Sequence, residues 1–332
     1  MYSLYAVENP LMDVIAHVDY PFLRRFGKSP GTMHLVAYEE IAALLADVGT
    51  FQTTPGGSAA NTARGIAWCA GPAGRELRRG LLGDGDDATL SEKPVFNGAI
   101  GRDPRGDQFA DGIRDAGVES ALVRKDTPTG TSVILVTPDG ERTMNTFLGA
   151  CRDFQASDLD LDRLSSSRII YLTGYLWDTD NQRRAAEKAV DFARARNIAV
   201  AFDLADPFAV NRYGELFRAW IPGHVDILFG NRDEIGLLTG SACDEDCVRD
   251  ASAIVPLVVM KVGAKGCIVG ERGRWEAVPG VRVPTVDTTG AGDAFAAGFL
   301  SGRLSGADPV SCARLANALA ARVVSVEGCV YG

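Results

Sequence analysis

The run VDTTGAGDAFAAGFLSGRL (286–304) holds the residues best suited to chemistry. Its opening ends a β-rich stretch, and its tail has helical spacing, with Phe295 and Phe299 one turn apart. Gly290, Ala291 and Gly292 therefore stand at the entrance to a helix, where unpaired amide N–H groups and the positive end of the helix dipole converge. Two glycines permit close approach and unusual backbone angles. Such a point suits a phosphate whose negative charge grows during transfer. Asp293 follows in the first helical turn. A carboxylate there can take a proton from a hydroxyl while the amides hold a migrating phosphoryl group. An acidic first-turn residue is also simply favourable to a helix, and spacing does not choose between the two.

Three further places repeat this ambiguity. In FGNRDE (229–234), Asn231 and Glu234 are three apart and face one way if a helix begins there. They can order the waters of a magnesium ion at a nucleotide, or serve only as a helix cap and an acidic first turn. In PGGSAANTARGIAWC (55–69), Gly56 and Gly57 precede an apolar helix with Ser58 as a plausible cap and Asn61 one turn in. Backbone exposed there could bind a polyol, although a plain strand–helix turn would look similar. In NPLMD (9–13), Asn9 and Asp13 flank the end of the first strand, and an ionised Asp can accept two vicinal hydroxyls at once.

The elements that must position these residues read as an α/β unit. RIIYLTG (168–174), AVAFD (199–203), VDILFG (225–230) and VPLVVMKVG (255–263) are apolar runs separated by helical patterns at 181–197, near 213–220 and from 232. Strands apolar on both sides predict a doubly wound, mainly parallel sheet flanked by helices, with ligands at the strands' carboxyl ends. Residues 13–48 and 119–149 break the rhythm. They hold alternating strands without intervening helices, including a hairpin of TSVILVT and ERTMNTFL about a PDG turn. The expected organisation is a core of residues 1–12, 49–118 and 150–332 with a small antiparallel β lid of 13–48 and 119–149. The Gly- and charge-rich stretch 71–94 reads as a surface insertion in the core.

Composition narrows the function. Among 332 residues, 43 Asp and Glu outweigh 34 Lys and Arg, for a net charge of −9. That balance argues against a partner with a nucleic-acid backbone. No apolar run reaches the roughly 18–20 residues that span a bilayer, and MYSLYAVENPLMD lacks the pattern of a secretory signal. Seven scattered cysteines suggest reduced thiols in a cytoplasmic protein, and the Cys243–Cys247 pair has no second pair or nearby His to complete a zinc site. FLRRFGKS (22–29) ends like a P-loop but has Phe22 where the first glycine belongs. The three histidines are far apart, which leaves acid–base chemistry to carboxylates.

In their order and approximate spacing, Gly-Gly near the start, N-x-x-E in mid-chain and D-T-x-G-A-G-D near the end resemble the ribokinase-like, or PfkB, family of carbohydrate and nucleoside kinases. The resemblance covers nearly the whole chain. It implies that Asp293 is the catalytic base and Gly290–Gly292 the anion hole. Asn231 and Glu234 match the pair that organises magnesium, through water, and the phosphates. In KVGAKG (261–266), Lys261, Gly263 and Gly266 would lie along the ATP together with Thr288, while Asp287 helps to shape that loop. Arg142, just after the hairpin turn, would clamp a phosphate as the lid closes, or remain an exposed hairpin Arg.

Within the family the pattern is most similar to the adenosine kinase branch, through NPLMD, PGGSAAN, PTGTS, DLADPF, VDILFGNRDE and the terminal EGC. On that match Asn9, Asp13, Gly57, Ser58 and Asn61 line a ribose site, and Phe208, with Tyr175, stands near the base. The implied cofactors are ATP and Mg²⁺, with a monovalent cation such as K⁺ as a further expectation. The implied reaction phosphorylates the 5′-hydroxyl of a nucleoside, adenosine first, with a free sugar or another nucleoside as the alternative acceptor. A non-catalytic sensor on the same scaffold would have no need of Asp293. Partners are then small molecules, with no nucleic acid and no membrane, and the protein is a monomer or a homodimer through the lid. Thr289 departs from the Asn of adenosine kinases and follows bacterial sugar kinases instead.

Overall fold

Strands that are apolar on both sides need cover on both faces, and this chain supplies it. The computed structural model describes residues 1–83 and 92–331. Its large sheet has nine strands: β1 (Tyr2–Val7), β5 (Val95–Asn97), β7 (Glu119–Ser120), β11 (Ser167–Thr173), β12 (Ala199–Asp203), β13 (Ile227–Asn231), β14 (Leu257–Lys261), β15 (Gly266–Glu271) and β16 (Arg274–Pro279). They lie in the order β16-β15-β14-β13-β12-β11-β1-β5-β7. Pairing is parallel from β7 across to β14, and β15 and β16 return antiparallel.

The side-chain alternation of β1 shows how both faces close. Leu4 and Ala6 enter one buried cluster, while Tyr5 and Val7 enter another. The first cluster is completed by α3 (Ser58–Ala70), α4 (Pro72–Leu82), α5 (Pro104–Asp115), α11 (Ala291–Leu304) and α12 (Pro309–Val324). The second is completed by α6 (Leu161–Ser165), α7 (Asp180–Arg194), α8 (Pro207–Trp220), α9 (Arg232–Thr239) and α10 (Asp244–Ser252). The fold is ribokinase-like: a large, mainly parallel sheet between helices, with a smaller sheet beside it.

The smaller sheet has five strands in the order β3-β10-β9-β2-β4: β2 (Leu11–His17), β3 (Met33–Leu35), β4 (Gln52–Gly56), β9 (Gly130–Val136) and β10 (Arg142–Phe147). β9/β10 and β2/β4 are antiparallel, whereas β2/β9 and β10/β3 are parallel. Residues 13–48 do contain helices, contrary to the sequence expectation: α1 (Tyr20–Arg25) and α2 (Tyr38–Asp47). The Asp19 carboxylate caps α1, and Pro21 sits in its first turn. Leu23, Ile41 and Leu44 then pack on Val14, Ala16, Val133 and Leu135. Each helix buries only one or two apolar residues fully under this cover, too few for periodicity to show. The opposite face carries Asp13, Ile15, Ser132, Ile134 and Arg142, and from it Arg142 reaches Asp287 of the core.

Two boundaries also differ from those expected. Strand β4, read with the core, pairs with β2 in the small sheet. The 119–125 segment, read with the lid, places β7 in the large sheet and β8 (Val123–Lys125) beside β6 (Ala99–Gly101) in a two-stranded ladder. In the expected 71–94 insertion, Pro72–Leu82 is helical and packed, with Arg78 buried and its Nε donating to Cys69 O at 3.1 Å. Residues 84–91 of that stretch lie outside the described residues. No helix among the described residues is long and apolar enough to cross a membrane.

Candidate active site

Helix α11 begins where the sequence places it. Its cap, Gly290, is left-handed at φ +71°, and a Cβ there would collide with Cys329. The loop before it is held by Asp287, whose Oδ1 accepts the Thr289 amide at 2.9 Å and whose Oδ2 accepts the Gly328 amide at 2.6 Å. Arg142 of the small sheet donates to the same Oδ2. Ala291 N–H is spent on Thr288 O at 3.2 Å. The Gly292 and Asp293 amides have no acceptor among the described residues, so they carry the anion-binding capacity of the first turn.

Asp293 is gripped from α3. Its Oδ1 accepts from Ser58 Oγ at 2.7 Å and its Oδ2 from Asn61 Nδ2 at 2.9 Å. Arg64, one turn on, donates to Asn61 Oδ1 at 3.2 Å and so orients the Asn61 amide. Burial pushes the Asp293 carboxyl up from its usual range. The Ser58 and Asn61 bonds pull it back, and nearby Asp203 and Lys261 act in opposite directions. Asp13 is pushed up to about 7 by burial and then by the Asp293 charge, against Arg64 and Arg142. The double glycine has a direct reason: a Cβ on Gly56 would strike the Asp13 carboxylate, and one on Gly57, at φ +91°, would strike Asn9 O.

The ends of β12, β13 and β14 supply the opposite wall. Lys261 Nζ donates to Asp203 Oδ2 at 2.8 Å and lies about 3.4 Å from where a Cβ of Gly292 would be. Burial opposes the charge on Lys261, but Asp203 and Glu234 overcome it and raise its pKa. Asn231 and Glu234 form a full capping box at α9: Asn231 N donates to Glu234 Oε2 at 2.8 Å and Glu234 N to Asn231 Oδ1 at 2.9 Å. Glu234 is buried and held up at about 7, by burial first. Both its oxygens are already taken by Asn231, and the described residues contain no group of three or more His, Cys, Asp or Glu able to hold an ion. That donor set fits a magnesium ion that keeps its waters and rides on substrate phosphates.

A cleft of about 740 Å³ opens beside α11, lined by Lys261, Gly263, Gly266, Thr288, Gly292 and Phe295 among others. That volume falls in the range of small-molecule sites. An adjoining cleft of about 850 Å³ shares Lys261 and Gly263 and adds Asn231. The structure thus brings Lys261, Gly263, Gly266, Thr288, Ala291 and Gly292 to one cavity and Asn231 to its neighbour.

Ser58 and Asn61, expected at a ribose, hold the two oxygens of Asp293. Asn9 is buried with its Oδ1 accepting from Gln182. Tyr175 is half-buried just beyond β11, its phenol kept protonated by burial first and then by Asp206 and Glu8. Phe208, 53 % exposed in the first turn of α8, takes no part in the hydrogen-bonded set around Asp293. Sequence reasoning missed Glu8, Arg64 and Asp203 as site residues. Glu8 and Asp203 each stand where an apolar strand ends in an acid, which is the available signal.

A model of the family described as pfkB family carbohydrate kinase matches residues 27–332. Among solved structures, the adenosine kinase of Sinorhizobium meliloti superposes with a TM-score of 0.86 at 32 % identity, over 98 % of this chain and 95 % of that one. A probable sugar kinase of Rhizobium etli gives 0.87 at 30 % identity, over 98 % and 94 %. A nucleoside kinase of Methanothermobacter thermautotrophicus is 30 % identical over 69 % of this chain and 72 % of its own length.

Proposed function

Since this chain belongs to the pfkB family of carbohydrate kinases and transfers phosphate from ATP to an alcohol, we propose that its acceptor is a nucleoside, adenosine first, phosphorylated on the 5′-hydroxyl. The observation that carries this choice is the inner face of the small sheet. Asp13 stands there beside Ile15 and Ile134, and Met144, paired with Ile134 and 37 % exposed, extends the row. A diol acceptor next to this apolar row suits a ribose carrying a base better than a free sugar. Phe208 and Tyr175 are assigned to the same acceptor, and Asn9 to its ribose.

In this reading Asp293 removes the 5′-hydroxyl proton. Each of its oxygens receives one donor from α3 and keeps a lone pair for the substrate. The Gly292 and Asp293 amides hold the migrating phosphoryl group, and Lys261, steadied by Asp203, offsets its growing charge. Magnesium, when bound, neutralises the ATP phosphates, and Asn231 and Glu234 would hold it through water. Arg142 ties the small sheet to the loop of Asp287, so closure over the acceptor would keep water from the ATP. All seven cysteines are free thiols, which supports a reducing, cytoplasmic setting.

The test is ADP release from Mg·ATP with adenosine, 2′-deoxyadenosine, other nucleosides, ribose, fructose or no acceptor, with K⁺ or tetramethylammonium as the monovalent ion. Adenosine turnover that falls by about 10³ or more in Asp293→Asn is expected. Deoxyadenosine should be the poorer substrate, since Asp13 would lose one hydroxyl. Turnover confined to free sugars would keep the base and discard the nucleoside. The sugar reading stays second because a probable sugar kinase is among the similar structures.

A further inference from the structure

Helix α3 starts without a cap of its own. The residue in the cap position is Gly57, which has no side chain and can gain none, since its φ is +91° and a Cβ would meet Asn9 O. Yet this helix end must be steady. Its first turn carries Ser58 and Asn61, the two donors that fix the oxygens of Asp293. An uncapped first turn leaves amides unpaired in a buried place, which costs stability and order.

The missing acceptor comes from Glu8, 51 residues earlier in the chain. Its side chain is 2 % exposed at the link between β1 and β2. Oε2 accepts the Ala59 amide at 2.8 Å, and Oε1 accepts the Thr173 hydroxyl at 2.7 Å at the end of β11. One buried carboxyl thus joins the ends of two central strands to the start of the helix that grips Asp293. We propose that Glu8 is a positioning residue for phosphoryl transfer, capping α3 so that Ser58 and Asn61 hold Asp293 in register. The inference rests on the reading of Asp293 as the base. Burial, partly offset by the Thr173 and Ala59 bonds, holds Glu8 up at about 8, which suits a group that works by hydrogen bonding rather than by charge.

Glutamine at position 8 keeps both contacts, because its carbonyl can accept from Ala59 and its amide can donate to Thr173 Oγ1. Alanine removes both and strands the Ala59 amide. Glu8→Gln, Glu8→Ala, Thr173→Val and Asp293→Asn would be assayed together as full-length protein, with thermal melts to establish folding. Glu8→Gln should stay within about threefold of the parent kcat, and Glu8→Ala should lose about 30-fold in kcat with the KM for ATP changed less than about twofold. Thr173→Val, which removes one of the two anchors of Glu8, should fall between them.

A purely structural role would lower the melting temperature of Glu8→Ala and leave kcat of the folded enzyme at the parent value; that result overturns the proposal. Equal damage in Glu8→Gln and Glu8→Ala would overturn it too, since charge rather than position would then matter. Should Glu8→Ala fail to fold, Glu8→Gln and Thr173→Val decide: parent-like kcat in both overturns the role, and a loss confined to Thr173→Val supports it. Full turnover in Asp293→Asn would remove the base and this proposal together, whereas an inactive Asp293→Asn with a parent-like Glu8→Ala removes only the role of Glu8.

Discussion

Glu8, Asp13, Asp203, Glu234 and Asp293 crowd around three cations, Lys261, Arg64 and Arg142, and the imbalance has a measurable consequence. In the folded protein Glu8 and Asp13 hold their protons up to about 8 and about 7. In the unfolded chain they release them near about 4. Between those values the folded state binds more protons, so this contribution to stability is present at the acid end of the window and is lost as pH rises through 7 to 8. The melting temperature of the ligand-free protein should therefore fall from pH 5 to pH 8, and Asp13→Asn should flatten that slope. Parallel pH curves for parent and Asp13→Asn would show that Asp13 is ionised throughout. The identities of Asp13 and Asp293 could be picked out of the sequence by motif spacing, but their protonation could not. It depends on which carboxylates share a buried volume, and the assembled sheet alone brings Glu8 to Thr173, 165 residues on, and Asp203 to Lys261, 58 residues on.

At the scale of elements, the double glycine is a packing device between β2, β4 and α3. Leu11 pairs with Gly56, and the Asp13 carboxylate lies where a Gly56 side chain would begin. Gly56→Ala should raise the acceptor KM by about tenfold or more while leaving the ATP KM alone, because only Asp13 has to move. Gly80→Ala in α4, where a Cβ meets nothing within 4 Å, is the neutral control. Equal kinetics for the two variants would remove Asp13 from the acceptor site. Elements varied in how plainly they could be read. β12 runs over the residues AVAFD that were expected. α8 starts six residues before the 213 expected for it, at Pro207 under an Asp206 cap, a D-P signal present in the chain but outweighed by a weak apolar stripe. The helices α1 and α2 became helices because a sheet face needed covering.

Among the described residues, two ion pairs bridge the small sheet to the region around Asp287: Arg142 to Asp287, and His17 to Glu327 at 3.3 Å. They should matter unequally. The side chains of Arg142 and Asp287 are 18 % and 3 % exposed, and those of His17 and Glu327 are 71 % and 53 % exposed. Exposed pairs contribute little, whereas removing one partner of a buried pair strands the other charge. Arg142→Ala should lower kcat by about tenfold or more, and His17→Ala should leave it within about twofold. Similar kinetics in both would mean that the Asp287 loop keeps its shape without the small sheet.

The chemistry on offer and the framework that presents it are written locally along the chain. Amides at a helix entrance followed by Asp293, and strands apolar on both faces, are local patterns set by neighbours within a turn or a strand. Who holds whom is set only when the fold closes. Ser58 and Asn61 grip Asp293 from 235 and 232 residues away, Arg142 reaches Asp287 across 145, and Glu8 caps a helix it precedes by 51. Such pairings come from side chains meeting across the closed fold, where burial leaves each polar group to find a partner, and no period along the chain encodes them.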